Sequence, residues 1–408
     1  DDLERRWLRE PPSPEGWESV QATFDACAVN RVLVADRQVG CGFVGGGSQP
    51  RSGLIAHMRR LPKEGPRNYL CHVLSWCLAT LRARRPDAVF VYAVAGAPAM
   101  ALVEAARALD IPVRVMTPVR LEQQYMVDDD PYGRLLRGVR LYQDARDDPG
   151  LLSQDNRARA RSYIDSFRER PSVPEYIRQN NRQLQRLTPF RTALRLAAKL
   201  PRAIRQADRD TLRAPRLGRG AFELATAIRR QASRRLPQAA VDQAPLSGHY
   251  FYFPLHVDPE ASTMVMSPGH TDQIAVIEGL AKSLPLDATL VVKEHGSMIG
   301  RRPSGFYRRI ARLPRVALVP AQRSSFELIR HASLVCAITG TAAWEAALLG
   351  VPALVLGQPH YAFLPQGVMR CTDVSALPEI VPEALAQPAC PDLDLELFVA
   401  ALYQRSFA

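Results

Sequence analysis

From residue 250 onward, short apolar runs alternate with stretches of helical spacing. The runs at 250–254, 289–293, 316–319, 334–338 and 353–356 are four or five residues long and apolar on both alternating faces. Between them, 272–284, 304–313, 324–331 and 342–349 carry apolar residues at helical intervals. Strands with no polar face, each followed by a helix, predict a parallel sheet covered on both sides. The first part of the chain shows a thinner version of this rhythm. There 31–35, 88–93 and 113–116 read as strands, and 67–84 and 98–109 as helices. The expected fold is therefore α/β, with two Rossmann-like domains facing each other across a cleft.

Residues 151–242 break the rhythm. They read as helices punctuated by prolines, which divides the chain into an N-terminal α/β domain (1–150), an Arg-rich helical insertion (151–242), a C-terminal α/β domain (243–380) and a helical tail (381–408). The insertion holds 21 Arg/Lys against 8 Asp/Glu, whereas the rest of the chain has 32 against 33, so all of the net charge of +12 originates there. Within it, FRTALRLAAKLPRAIRQADRDTL places Phe190, Leu194, Ala197, Ala198, Leu200 and Ile204 at roughly helical spacing among basic residues. This is a basic amphipathic pattern. It fits either a helical insertion with solvated arginines or a surface for anionic lipid or a phosphate-bearing acceptor. Nucleic acid is not the expected partner, because aromatic residues for stacking are few and no nucleic-acid module is present.

The longest apolar stretch, 334–357, has Glu345 as its one charge, but T-G-T and G-V-P divide it into strand, helix and strand, so no membrane span is expected. Seven cysteines without a C-x-x-C pair point to a reducing compartment. The chain starts at Asp1 rather than at a methionine, so an upstream piece is expected.

Chemistry concentrates at strand ends. In LVCAITGTAAWEAALLG, a buried strand ends at Ile338, Thr339-Gly340-Thr341 makes the turn, and a helix starts near Ala342. Unpaired N–H groups and the positive end of the helix dipole then face whatever lies beyond the strand, which suits a phosphate. Thr339 and Thr341 add hydroxyls, and Gly340 lets a ligand reach the backbone. The alternative is a plain threonine-capped turn, but Trp344 stands where a capping box needs an acid or amide. Glu345, one residue further, suits ribose hydroxyls.

In LVVKEHGSMIGRRP, Lys293 and His295 sit at a strand's carboxyl end, where an ammonium suits a phosphate oxygen. Arg301 or Arg302 suits a sugar carboxylate. Ser324 and Ser325 in QRSSFELI are either helix caps or further phosphate donors. His256, Asp258 and Glu260 in FPLHVDPEAS face the cleft. Asp128, Asp129 and Asp130 in YMVDDDPYGRL form either a solvated turn or a source of a catalytic carboxylate. The glycine-rich VGCGFVGGGSQ matches no nucleotide-binding pattern, and His and Cys show no metal-site spacing.

Taken together, FPLHVDPEAS, TDQIAVIEGLAKSLP, VVKEHGSMIGRRPSGFY, SSFELI and AITGTAAWEAALLGVPALVLGQPHY resemble the capsule polysaccharide biosynthesis family, which includes bacterial β-Kdo transferases. The likeness is close over 250–365 and looser over 86–142, through RRPDAVFVYAVAG and DDPYGRL. It implies a glycosyltransferase of the GT-B type that takes a CMP-activated sugar such as CMP-Kdo, retains the anomeric configuration and needs no further cofactor or metal. The nucleotide would lie on the C-terminal domain, on the T-G-T turn, Glu345, Lys293 and His295. Asp129 and Asp130 align with the family's D-D-P-Y and, with His256 across the cleft, are the expected catalytic residues. Gly296 stands where the family usually has a proline.

A glycolipid or oligosaccharide acceptor follows from this resemblance. So does a cytoplasmic location, with peripheral contact on the inner face of the inner membrane. The alternatives are a nucleotide-sugar epimerase, a transferase using another nucleotide sugar, and a non-catalytic nucleotide-binding subunit of a polysaccharide assembly complex.

Overall fold

The computed structural model describes residues 6–7, 10–36, 64–171, 188–205, 216–233, 249–303 and 305–407. The glycine-rich stretch at 39–49 lies outside these residues. The N-terminal part begins with helices Pro14–Thr23 (α1), Ala26–Ala35 (α2) and Gly65–Arg84 (α3). Strand Val89–Tyr92 (β1), helix Ala97–Ala108 (α4), and strands Val113–Pro118 (β2) and Tyr125–Asp128 (β3) follow. β1 and β2 are parallel, and β3 returns antiparallel.

The run at 31–35, which reads as a strand, is the second half of α2. Asp25 caps that helix by accepting a hydrogen bond from the Ala28 N–H at 2.6 Å, and Ala28, Val32 and Ala35 turn inward at helical intervals. So short an apolar run fits either period, and the upstream cap decides it.

Helices Leu136–Asp147 (α5), Gln154–Glu169 (α6), Pro189–Arg205 (α7) and Arg216–Ser233 (α8) come next, and α7 packs against α8. The C-terminal domain then runs through Tyr250–Pro254 (β4), Ala261–Met264 (α9), Gln273–Lys282 (α10), Thr289–Lys293 (β5), Phe306–Ala311 (α11) and Val316–Val319 (β6). It continues with Ser325–Arg330 (α12), Leu334–Ala337 (β7), Thr341–Leu348 (α13), Ala353–Val355 (β8) and Val368–Arg370 (β9), and ends with Leu377–Leu385 (α14) and Asp392–Arg405 (α15).

The six C-terminal strands are parallel in the order β6-β5-β4-β7-β8-β9. That is the order of a doubly wound, Rossmann-like sheet, reversing between β4 and β7. Phe251, Phe253, Leu290, Val292 and Leu334 pack one face against α10, α11 and α14. Tyr250, Tyr252, Val291, Val335 and Ala337 on the other face share a core with α13 and α15. The apolar stretch at 334–357 resolves into β7, α13 and β8, and among the described residues no helix is long and apolar enough to cross a membrane.

Helix α15 returns to pack on α5 and α6. Tyr142 donates to Asp394 at 2.7 Å, and Arg157 and Arg161 reach Glu396 at 2.6 and 2.8 Å. Arg168 pairs with Asp392. Three of the four arginines of α6 are thus neutralised by α15, and the fourth, Arg159, pairs with Glu122. Helix α6 belongs to the main body, and the segment's unbalanced charge lies beyond it.

Candidate active site

Where the strand order reverses, the loops after β4 and β7 part and leave a crevice at their carboxyl ends. His256 lies there, beneath the T-G-T turn. Its Nε2 accepts from the Thr339 N–H at 3.4 Å, and a Cβ on Gly340 would come within 2.9 Å of the same nitrogen. Gly340 is therefore required by the imidazole behind it. Burial, then the neighbouring His295 and the charges of Arg302 and Arg120, pushes His256 down to about 3. A buried, neutral imidazole that accepts from the turn helps to hold the turn in place.

The Thr339 hydroxyl donates to the Ser262 carbonyl at 2.8 Å, so it is not a free phosphate donor as expected. Helix α13 starts at Thr341 with no side-chain cap, which leaves its first N–H groups available to an anion.

Lys293 ends β5, and its ammonium donates to Ser325 Oγ at 2.7 Å. Glu345, one turn into α13, is hydrogen-bonded by the Thr341 side chain. Burial pushes Lys293 down to about 8 against the pull of nearby Glu345. It pushes Glu345 up to about 7 against the pull of Thr341 and Lys293. Lys293, Ser325, Thr341 and Glu345 thus form one group, with the two hydroxyls orienting the two charges. Ser324 is a plain cap, accepting from the Glu327 N–H at 3.3 Å.

The rest of the K-E-H-G loop is tied into the fold by side-chain hydrogen bonds. Glu294 is buried against Arg302, with Nε–Oε2 at 2.9 Å and Nη2–Oε1 at 3.1 Å, and accepts from the Tyr307 hydroxyl at 2.8 Å. Arg302 also donates to the His256 carbonyl at 2.6 Å, so it is committed to the fold and not to a sugar carboxylate. His295 caps the turn Gly296–Met298, with Nδ1 at 2.7 Å from Ser297 Oγ, and burial lowers its pKa. Arg301 has its Nε buried without a hydrogen-bond partner, and its favourable charge is Glu223 on α8.

Across the crevice, the aspartates are occupied. Asp128 accepts from the Asp129 and Arg137 N–H groups at 2.6 and 3.0 Å. Asp129 is 56% exposed and pairs with Arg114 and Arg137 at 2.8 and 3.2 Å. Asp130 is buried and accepts from the N–H groups of Tyr132 and Arg134, at 3.2 and 2.8 Å, and from the Arg134 guanidinium at 2.6 and 2.9 Å.

Between the two halves lies a cleft of about 190 Å³, whose walls include Thr117, Arg120, Tyr132, Glu260, Thr339 and Tyr361. Neither Asp129 nor Asp130 lines it. Glu260 does, its Oε2 accepting from the Ser262 hydroxyl at 2.7 Å. Beyond Tyr132 and Met266, a second cavity of about 490 Å³ continues between α2 and the loop after α9.

Arg120 is the cleft residue that sequence reasoning missed. It is exposed, holds a left-handed backbone with φ of +64°, and its charge helps to depress the pKa values of His256 and His360. Its one sequence signal is its position just after the N-terminal strand β2. Among the described residues, no cluster of three or more His, Cys, Asp or Glu side chains is placed to hold a metal.

The model of the capsule polysaccharide biosynthesis protein family matches residues 147–370. The chain belongs to that family. No curated protein sequence matches it. Similar solved structures include Thermosulfurimonas dismutans KpsC as a β-Kdo 2,7 transferase, at 12% identity over 80% of this chain and 79% of that one, with a TM-score of 0.43. The β-Kdo 2,4 transferase of the same KpsC is 15% identical over 77% and 79%, also with a TM-score of 0.43. The UDP-GlcNAc 2-epimerase of Neisseria meningitidis, bound to UDP-GlcNAc, is 14% identical over 86% and 85%, with a TM-score of 0.31.

Proposed function

We propose that the protein is a glycosyltransferase of capsule or surface-polysaccharide synthesis. In this reading it moves Kdo from CMP-Kdo, with retention, onto a lipid-linked or glycan acceptor at the inner face of the membrane. Family membership supports the polysaccharide role. One observation carries the rest: an uncapped helix start, Lys293 and Glu345 converge at the reversal point of a Rossmann-like sheet, beside a cleft that holds Arg120. The N–H groups of α13 and Lys293 would take the CMP phosphate. Glu345 would take the ribose hydroxyls, and the Arg120 guanidinium the carboxylate of an acidic sugar.

Retention by double displacement needs a carboxylate within reach of the anomeric carbon. Glu260 lines the cleft, whereas Asp129 and Asp130 are held by arginines. Glu260 would attack that carbon while CMP leaves with the bond's electron pair. The acceptor hydroxyl would then displace Glu260 and release its proton to water.

The test is to incubate the protein with CMP-Kdo, with and without a glycolipid acceptor, and to measure released CMP. Acceptor-dependent release is expected, kept by Asp129→Asn and lost by Glu260→Gln while CMP still binds. Tight CMP binding without release under any condition would instead identify a non-catalytic nucleotide-binding subunit.

A further inference from the structure

Helix α7 presents three different faces. Thr192 is buried toward α8, and Leu196 packs there over Gly220, where an added Cβ would come within 3.2 Å of it. The next face is apolar and open. Phe190 is 77% exposed and Leu194 64%, and Ala197, Ala198 and Pro201 continue the strip. The third face carries Arg191, Arg195 and Lys199. Over its whole length α7 holds five basic residues and no acidic one. Arg195 pairs with Glu223 of α8 at 2.7 Å, leaving Arg191 exposed beside the strip and Lys199 exposed further round the helix. Ile228 on α8 adds a further apolar side chain, 51% exposed.

The helix pair is seated firmly on the C-terminal domain. Arg230 Nε donates to the Ile299 carbonyl at 3.3 Å, and a Cβ on Gly300 would approach the Thr226 carbonyl to 2.8 Å. Helix α8 therefore rests on the loop that follows His295.

A single exposed apolar residue on a helix needs no explanation. An apolar strip over several turns, bordered by cations and free of acids, is the pattern of a helix lying in a bilayer interface. We infer that α7 is a membrane-contact helix. Phe190 and Leu194 enter the headgroup layer of an anionic bilayer, and Arg191 and Lys199 meet lipid phosphates. The strip is open to solvent, and the cations of the same helix complement an anionic surface. With Arg157, Arg161 and Arg168 of α6 paired to α15, α7 carries five of the segment's remaining basic residues and no acid. The inference holds whatever reaction the cleft performs.

The whole chain is floated with vesicles of phosphatidylcholine, alone or mixed with phosphatidylglycerol. Binding to the mixed vesicles, weakened by salt, is expected. Arg191→Gln with Lys199→Gln should weaken binding roughly 30-fold, and Phe190→Ser with Leu194→Ser at least about tenfold. Phe190→Trp should keep binding, and its added fluorescence should shift to the blue on the mixed vesicles, so the test survives poor folding of the serine variant. CMP affinity should be the same in all three. Failure of the wild type to float, equal flotation of every variant, or salt-insensitive binding to phosphatidylcholine alone would overturn the inference.

Discussion

Lys293 and Glu345 lie close enough for each to feel the other's charge, and burial pushes both toward neutrality, to about 8 and about 7. The two shifts act on stability in opposite senses. Glu345 is raised, so its contribution is full below the ordinary carboxylate range and is lost as pH rises through about 7. Lys293 is lowered, so its contribution is full at high pH and is lost as pH falls through about 8. A phosphate on Lys293 favours the charged lysine, and ribose hydroxyls donating to Glu345 favour its ionised form. CMP affinity, measured by calorimetry, should therefore rise as pH climbs through about 7 and fall above about 8, and Glu345→Gln should remove the lower step. Lys293→Ala should cost about 1.5–3 kcal/mol of CMP binding at neutral pH. A flat pH profile in the wild type would separate the pair from the nucleotide. Arg120→Ala should weaken CMP-Kdo binding about tenfold or more and leave CMP alone nearly unchanged, since its expected partner is the sugar. Equal losses for both ligands would move Arg120 off the sugar. Sequence reading located the strand ends but not which donors there are free. The partners that occupy Thr339, Arg302 and Asp130 lie in other loops or in side-chain geometry, and neither leaves a trace in local sequence. Arg120 was one arginine among 49 for the same reason.

Elements were legible in proportion to their burial and length. The C-terminal strands are buried on both faces, so they stand out as continuous apolar runs, and the T-G-T turn announces itself between two of them. Strands β3 and β9 have four and three residues, too few to show a period. Helix α2 reads as a strand because its apolar half is short and its signal, the Asp25 cap, lies outside the run. Asp25→Ala should lower stability by about 1 kcal/mol, visible as a drop of a few degrees in Tm. An unchanged melting curve would mean that packing of Val32 and Ala35 alone holds the helix.

At the scale of the whole molecule, α15 ties the C-terminal domain back to α5 and α6. Glu396 is buried and answers two arginines of α6, so Glu396→Gln should leave them under-compensated and lower unfolding stability by about 1–3 kcal/mol. Denaturant unfolding checks this, and a shift below about 0.5 kcal/mol would make those pairs ordinary surface contacts. The same helix has a consequence in time. Leu397, Phe398 and Leu402 share one core with Val139, Tyr142 and Ile164, which are made more than 200 residues earlier. During synthesis, α5 and α6 wait with apolar surface uncovered until residues 392–405 have left the ribosome. The wall they help to build stays unfinished until then, so the two halves of the cleft are brought into register only as the final helix seats.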